Sequence, residues 1–324
     1  MTPAGSEQKG KTRIAATLGR FKGAQAALGL VIILIVFSVL SRTFRDADVF
    51  AGIVKQAAVL GILACGTTIV LISGGLDLSV GSILALVAVV VGDLMVLRGV
   101  PWPVAAVAGV GLGALCGCVN GLIQVWTGIP PFIVSLGGLL AYRGIAEEFA
   151  ASKNLAGFDT AFRLLGRDYV GPIGILLGSA VVVYVLLGWT RLGFSAYAIG
   201  GNEEVARLSG VKVRRNRVIY YALGGAFAGL AAVVQIAKLG YANSSFGQMN
   251  ELYAIASVVI GGTSLFGGVG GVWRTVIGAL TFQSIYVGLS HVDVESSRQD
   301  VAIGVIIILA VWLDVFQRRR AGRA

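Results

Sequence analysis

Charge is scarce in this sequence. Only 13% of its 324 residues are Asp, Glu, Lys or Arg, against roughly 25% in soluble globular domains. A soluble chain of this length needs more charge to cover its surface, so that class is excluded. Histidine is nearly absent too: His291 stands alone, in a short polar stretch. A rhomboid-like serine protease wants G-x-S-G and a helical His, but Ser73 has Leu71 where the first glycine belongs. An intramembrane aspartyl protease wants G-x-G-D. Asp93 has Val90 at the first glycine position, and Asp77 follows Leu76. No catalytic residue emerges. The cysteines are few, and Cys65, Cys116 and Cys118 all lie inside apolar runs. Cys116 and Cys118 have no nearby His or further Cys to complete a metal site, so they read as small packing residues. Neither a metal nor a cofactor is expected.

What the chain has instead is apolar length. Hydrophobic residues make up 56%, and mean hydropathy is +0.85. The runs are of helical size: "AQAALGLVIILIVFSVL" (24–40) is continuous and shows no period of two. A spanning helix needs about 20 residues and a transmembrane strand about 10, so a barrel is excluded. The first run lacks a small-residue cleavage site and is expected to stay as a span. The expectation is an all-α, polytopic integral membrane protein with about ten transmembrane helices. They lie near 24–40, 52–72, 78–97, 102–125, 130–150, 171–189, 218–238, 251–268, 271–290 and 300–316. The third, eighth and ninth are short or glycine-interrupted. "GGLDLSVG" (74–81) and "SLFGGVGG" (264–271) echo one another and suggest two weakly similar halves. Paired broken segments of this kind mark a substrate path in transporters.

Orientation follows from Lys and Arg, which collect on the cytoplasmic side. Residues 1–23 carry Lys9, Lys11, Arg13, Arg20 and Lys22, and 317–324 carry Arg318, Arg319, Arg320 and Arg323. The 190–217 loop adds Arg191, Arg207, Lys212, Arg214, Arg215 and Arg217. Both tails and this loop are therefore expected in the cytoplasm, flanking a transmembrane domain at 24–316. The net charge of +10 fits this bias and contact with anionic membrane lipid. It requires no nucleic acid partner.

Four constellations stand out. Gly109, Gly113, Gly117 and Gly121 recur every fourth residue in the fourth span. Such a stripe lets another helix approach closely, within the chain or in a second subunit. Asn120 and Gln124 neighbour it, as interhelical hydrogen bonders or substrate contacts. Asp77 and Ser79 lie between apolar flanks, where a carboxylate costs roughly 2.5–3.5 kcal/mol on insertion scales. Either caps the helix that follows, or both line a translocation pathway. Arg143 is placed to pair with Glu147 one helical turn on. The fourth constellation is "GGNEEVARLSGVKV", which predicts a short cytoplasmic helix. Asn202 is its N-cap, Glu203 and Glu204 favour the first turn, and Gly210 suits a left-handed C-cap. Under two turns long, it needs a partner or packing on its own protein to persist.

Four blocks then carry a resemblance: "GGLDLSVGSILAL", "PPFIVSLGGLLAYRG", "AIGGNEEVARLSGVKV" and "VVIGGTSLFGGVGGVWRTVIGAL". In this order, over about 50–316, they resemble the permease subunits of bacterial ABC sugar importers of the ribose/xylose/galactoside type. The resemblance implies a permease in the bacterial inner (cytoplasmic) membrane, not an enzyme. Two copies, a homodimer, would form the translocation pathway. A separate cytoplasmic ATP-binding cassette ATPase would drive it, and an extracytoplasmic sugar-binding protein would deliver a monosaccharide. In related importers an E-A-A-x-x-x-G-like loop docks on the ATPase. Here Glu204, Ala206 and Gly210 keep E-x-A-x-x-x-G, with Val205 in place of the first Ala, so Asn202, Glu203, Glu204, Ala206, Arg207 and Gly210 form the candidate coupling segment. The residues alone leave a second class open, a secondary transporter or channel using an ion gradient, with Asp77 as the ion site.

One match points the other way. "GSEQKGKT" (5–12) satisfies the phosphate-loop pattern letter for letter, yet that pattern works only between a buried strand and a helix. Only "MTPA" precedes Gly5, so Lys11 and Thr12 are expected to be part of a basic tail. Lys11→Ala should accordingly leave transport unchanged, and the purified chain alone should hydrolyse no ATP. Nucleotide binding by the isolated chain, lost in Lys11→Ala, would reverse this.

Overall fold

The structure, a computed structural model, describes residues 24–150 and 155–320. The 1–23 tail with its phosphate-loop-like string lies outside the described residues, as does the end of the 317–324 tail. In chain order the elements are α1 (Ala24–Leu40), a 3₁₀ turn (Thr43–Arg45), α2 (Ala47–Ile72), α3 (Val80–Val96), α4 (Trp102–Thr127) and α5 (Pro131–Ala150). There follow β1 (Leu155–Ala156), α6 (Thr160–Arg167), α7 (Val170–Trp189), α8 (Arg191–Gly201), α9 (Glu203–Leu208) and α10 (Val213–Leu239). The chain closes with β2 (Tyr241–Ala242), α11 (Asn250–Ile260), α12 (Val272–His291) and α13 (Ser296–Arg320). The fold is all-α and polytopic. Among the described residues only β1 and β2 form a sheet, antiparallel, with Leu155 opposite Ala242.

A helix lies at each of the ten expected positions. By length and composition α2, α4, α7 and α10 are clear crossings, while α1, α3 and α11 are shorter apolar helices. The eighth span differs from expectation. Helix α11 stops at Ile260 instead of running to 268. Gly262, Gly267 and Gly268 adopt positive φ there (84°, 83° and 72°), which ends a right-handed helix. The 190–217 loop is also more helical than expected. It holds α8 as well as α9, and the start of α10.

Helices α2 and α3 form the centre. Every residue from Ala57 to Ile72 is buried, and so is every residue from Val80 to Val89. A helix apolar on all sides belongs inside a bundle. Helix α4 is different. Its buried positions are Ala105, Gly109, Gly113, Cys116, Gly117, Asn120, Gly121 and Gln124, a single helical stripe, while Val107 and Leu115 on other faces are exposed. Exposed apolar side chains suit lipid contact.

The glycine stripe packs inside the chain, against α10. A Cβ at Gly113 would overlap the carbonyl of Gly225, one at Gly117 the carbonyl of Tyr221, and one at Gly121 would lie 2.8 Å from the Cα of Val218. Gly109 faces Val87 and Val91 of α3. In return, a Cβ at Gly229 would lie 2.8 Å from the Gly109 carbonyl. Backbones this close gain dispersion contacts that larger residues would block.

A paired substitution tests this packing. Gly117→Ala should overpack the α4–α10 contact and cost about 1–3 kcal/mol, seen as a lower Tm in detergent. Gly111→Ala, where a Cβ meets nothing within 4 Å, should leave the Tm unchanged or raise it slightly. Equal Tm values for the two variants would refute the packing role.

Candidate functional site

Asp77 and Ser79 sit in the break between α2 and α3. Asp77 is only 1% exposed. Its Oδ1 accepts from the backbone N–H of Ser79 (2.9 Å) and from the Ser79 hydroxyl (2.6 Å). This is an Asx-type turn, not the side-chain cap expected. Ser79 occupies the N-cap position of α3 but makes no side-chain cap bond, because its hydroxyl is committed elsewhere. Asn120 of α4 donates from Nδ2 to Ser79 Oγ (2.8 Å) and accepts from the Tyr142 hydroxyl of α5 (3.0 Å). The Leu76 carbonyl, freed by the break, accepts from Tyr221 of α10 (3.0 Å) and Ser135 of α5 (3.3 Å). Three helices, α4, α5 and α10, thus close around one interruption. Gln124 is buried on the same face of α4 as Asn120, but joins none of these bonds. Its Oε1, like Asp77 Oδ2, has no hydrogen-bond partner among the described residues. The sequence reading missed Tyr142, Ser135 and Tyr221. Polar residues within otherwise apolar spans were the available signal.

Arg143 also departs from expectation. Its guanidinium donates to the carbonyls of Ser244 and Phe246 (2.7 Å to Phe246), while Glu147 remains exposed. In the loop at 243–249 the carbonyls of Asn243, Ser245, Gly247 and Met249 accept backbone N–H groups, and Arg143 Nη1 takes up the two between them, those of Ser244 and Phe246, at once. Glu251 at the start of α11 was not anticipated either. It is buried, and its Oε2 lies where a Cβ on Gly81 would be.

The second candidate region is α8 and α9. Asn202 accepts from the Val205 N–H at 3.0 Å. Gly210 has φ +83°. Its N–H reaches the Arg207 carbonyl, and the Val211 N–H reaches that of Ala206, both at 3.0 Å. Those two bonds are the Schellman pattern, so α9 is capped at both ends. Ala206 faces inward, 3% exposed, whereas Val205 and Leu208 are 58% and 77% exposed. Glu203 pairs with the half-buried Arg217 of α10 at 2.6 Å, and Glu204 lies 4.0 Å from Arg207 in a pair that is largely exposed.

Residues 49–311 match the family model described as the permease component of the branched-chain amino acid transport system. The chain belongs to this family. The ribose import permease protein RbsC of Bacillus subtilis (strain 168) is 38% identical over 293 residues, covering 89% of this chain and 91% of the relative. The D-allose transport system permease protein AlsC of Escherichia coli (strain K12) is 37% identical over 290 residues, covering 88% and 89%. The xylose transport system permease protein XylH of Haemophilus influenzae (strain ATCC 51907 / DSM 11121 / KW20 / Rd) is 31% identical over 359 residues, covering 90% and 96%. No solved structure matches the chain. As a multi-pass inner-membrane permease it is a transport subunit, not an enzyme.

In a permease the Asp77 cluster has a structural task that can be measured. Asn keeps an Oδ1 acceptor, so Asp77→Asn should retain the turn and most transport. Asp77→Leu leaves the Ser79 N–H and hydroxyl unpaired, at about 1–3 kcal/mol for a buried group. Thermal unfolding in detergent should show a clear drop for Leu and a small one for Asn. Full stability and uptake in Asp77→Leu would remove this residue from any role.

Proposed function

We propose that this permease carries a monosaccharide, as a homodimer with a cytoplasmic ATP-binding cassette ATPase and an extracytoplasmic sugar-binding protein. The family description names amino acids, but relatives named for ribose, allose and xylose align along nearly the whole chain. That narrower likeness favours a sugar. Both termini and α8–α9 are cytoplasmic in this reading, by the Lys and Arg bias.

The observation that carries the energy source is α9. A six-residue helix is too short to persist by itself. Here both ends are capped, Ala206 anchors it, and Val205 and Leu208 face outward beside Glu204. Exposed apolar residues rimmed by charge suit a protein partner. We read Asn202 and Gly210 as the caps that hold the shape, Ala206 and Glu203 as its anchors, and Glu204 and Arg207 as the charged rim. An ion-gradient transporter would give this surface nothing to meet. In the same reading, Asp77, Ser79 and Asn120 hold the broken segment that borders the pathway, with Gln124 beside them.

Gly210→Val should strain the left-handed C′ position without touching a span. We expect normal membrane insertion, several-fold weaker retention of the ATPase on co-purification, and little substrate-stimulated hydrolysis. Glu204→Arg should behave alike. If both variants retain the ATPase and import D-ribose, D-allose or D-xylose as wild type does, α9 is only a linker.

A further inference from the structure

The two glycine-rich breaks, far apart in sequence, meet at the end of α8. The Gly268 N–H donates to the Ile72 carbonyl at 2.9 Å, so the turn after α11 is bonded to the last residue of α2. Gly200 lies directly on that bond. A Cβ built there would overlap the Ile72 oxygen and come within 2.5 Å of the Gly268 nitrogen. A Cβ on Gly267 would be 2.8 Å from the Gly200 Cα and 2.9 Å from that of Gly74. Gly74 and Gly267 both have positive φ, 77° and 83°, so each break turns sharply at the contact. A second tie is independent of the glycines: the Tyr197 hydroxyl of α8 donates to the Gly270 carbonyl at 3.1 Å. Only Asn202 separates α8 from α9.

We propose that Gly200 is the positioning residue through which α9 moves both breaks together. The inference deepens the reading of α9 as the ATPase contact and rests on it. The physical reason is the lack of slack. Where backbone touches backbone with no side chain between, a displacement of α8 cannot be absorbed by a rotamer change. It must reach Ile72 and Gly268 as backbone motion. One break leads into α3 and its Asp77 turn; the other joins α11 to α12. A push on α9 is thus delivered to both interrupted segments at one point.

Neighbouring glycines provide the test. Gly201 is exposed, and a Cβ there meets nothing within 4 Å. The permease, its cognate ATPase and its binding protein are reconstituted in proteoliposomes, with D-ribose, D-allose and D-xylose as probes. Gly200→Ala should retain the ATPase and its basal hydrolysis, yet lose at least tenfold in sugar imported per ATP hydrolysed. Gly201→Ala should match wild type. Tyr197→Phe deletes only the hydroxyl and should lower the same ratio a few-fold; it keeps the idea testable if Gly200→Ala fails to insert. Wild-type coupling in Gly200→Ala, or in Tyr197→Phe where Gly200→Ala does not insert, overturns the proposal. So does equal loss in Gly201→Ala, which would indicate a defect in the helix end and not in the contact. Loss of ATPase retention in Gly200→Ala also overturns it, since the residue would then serve docking. Failure of the wild-type permease to bind a cassette ATPase would instead overturn the reading beneath it.

Discussion

A backbone that leaves its helix inside a bilayer must find new partners for every N–H and C=O it releases, because no water is there to take them. This chain interrupts its apolar helices after Ile72 and after Ile260, and the groups released there find partners within the protein. The carbonyl of Leu76 takes two hydroxyls, from Tyr221 and Ser135. The Ser79 amide goes to Asp77. The Ile72 carbonyl takes an amide from the other break. The interruptions therefore help to satisfy one another, which is a physical reason for them to meet.

Glycine has two distinct duties here. In α4 it lets helical backbones touch along a length, and the α4–α10 pair becomes a stiff frame. In the breaks it supplies positive φ at single points. The same residue type thus builds both a rigid contact and the turns beside it. The distinction is conformational: Gly113 and Gly117 lie inside regular helix, whereas Gly74, Gly267 and Gly268 do not.

The sequence was most legible where the signal is local. Apolar run length located a helix at each of the ten expected positions, because a span needs a fixed count of apolar residues. Asn202 and Gly210 marked the ends of α9, because capping depends on neighbouring residues alone. The α4 stripe was visible, but its partner was not: Gly225 and Gly229 lie about a hundred residues on, and only tertiary packing brings them opposite. The eighth span, though marked as short or glycine-interrupted, reads on to 268 because glycine hardly lowers an averaged hydropathy. The pairs Gly261-Gly262 and Gly267-Gly268 were the evidence against it. Arg143 was misread for a related reason. A local i,i+4 pair is worth only about 0.2–0.5 kcal/mol, and two buried carbonyls from a distant loop outweigh it.

Helix α10 connects the two candidate regions. Arg217, near its start, holds Glu203 of α9. Tyr220 donates to the Leu192 carbonyl of α8 at 2.7 Å, and its neighbour Tyr221 donates to Leu76 in the first break. Two adjacent residues on one helix thus point to different parts, one to α8 and one to the interrupted segment. Gly225 and Gly229, one and two turns further along, fasten the same helix to α4, which carries Asn120 into the Asp77 network. A rigid rod packed on α4 from Val218 to Gly229 and bonded near its start to both regions restrains them against each other. Relative motion of α8 and the break is then confined to what the tyrosine hydroxyls and the Gly200 contact allow.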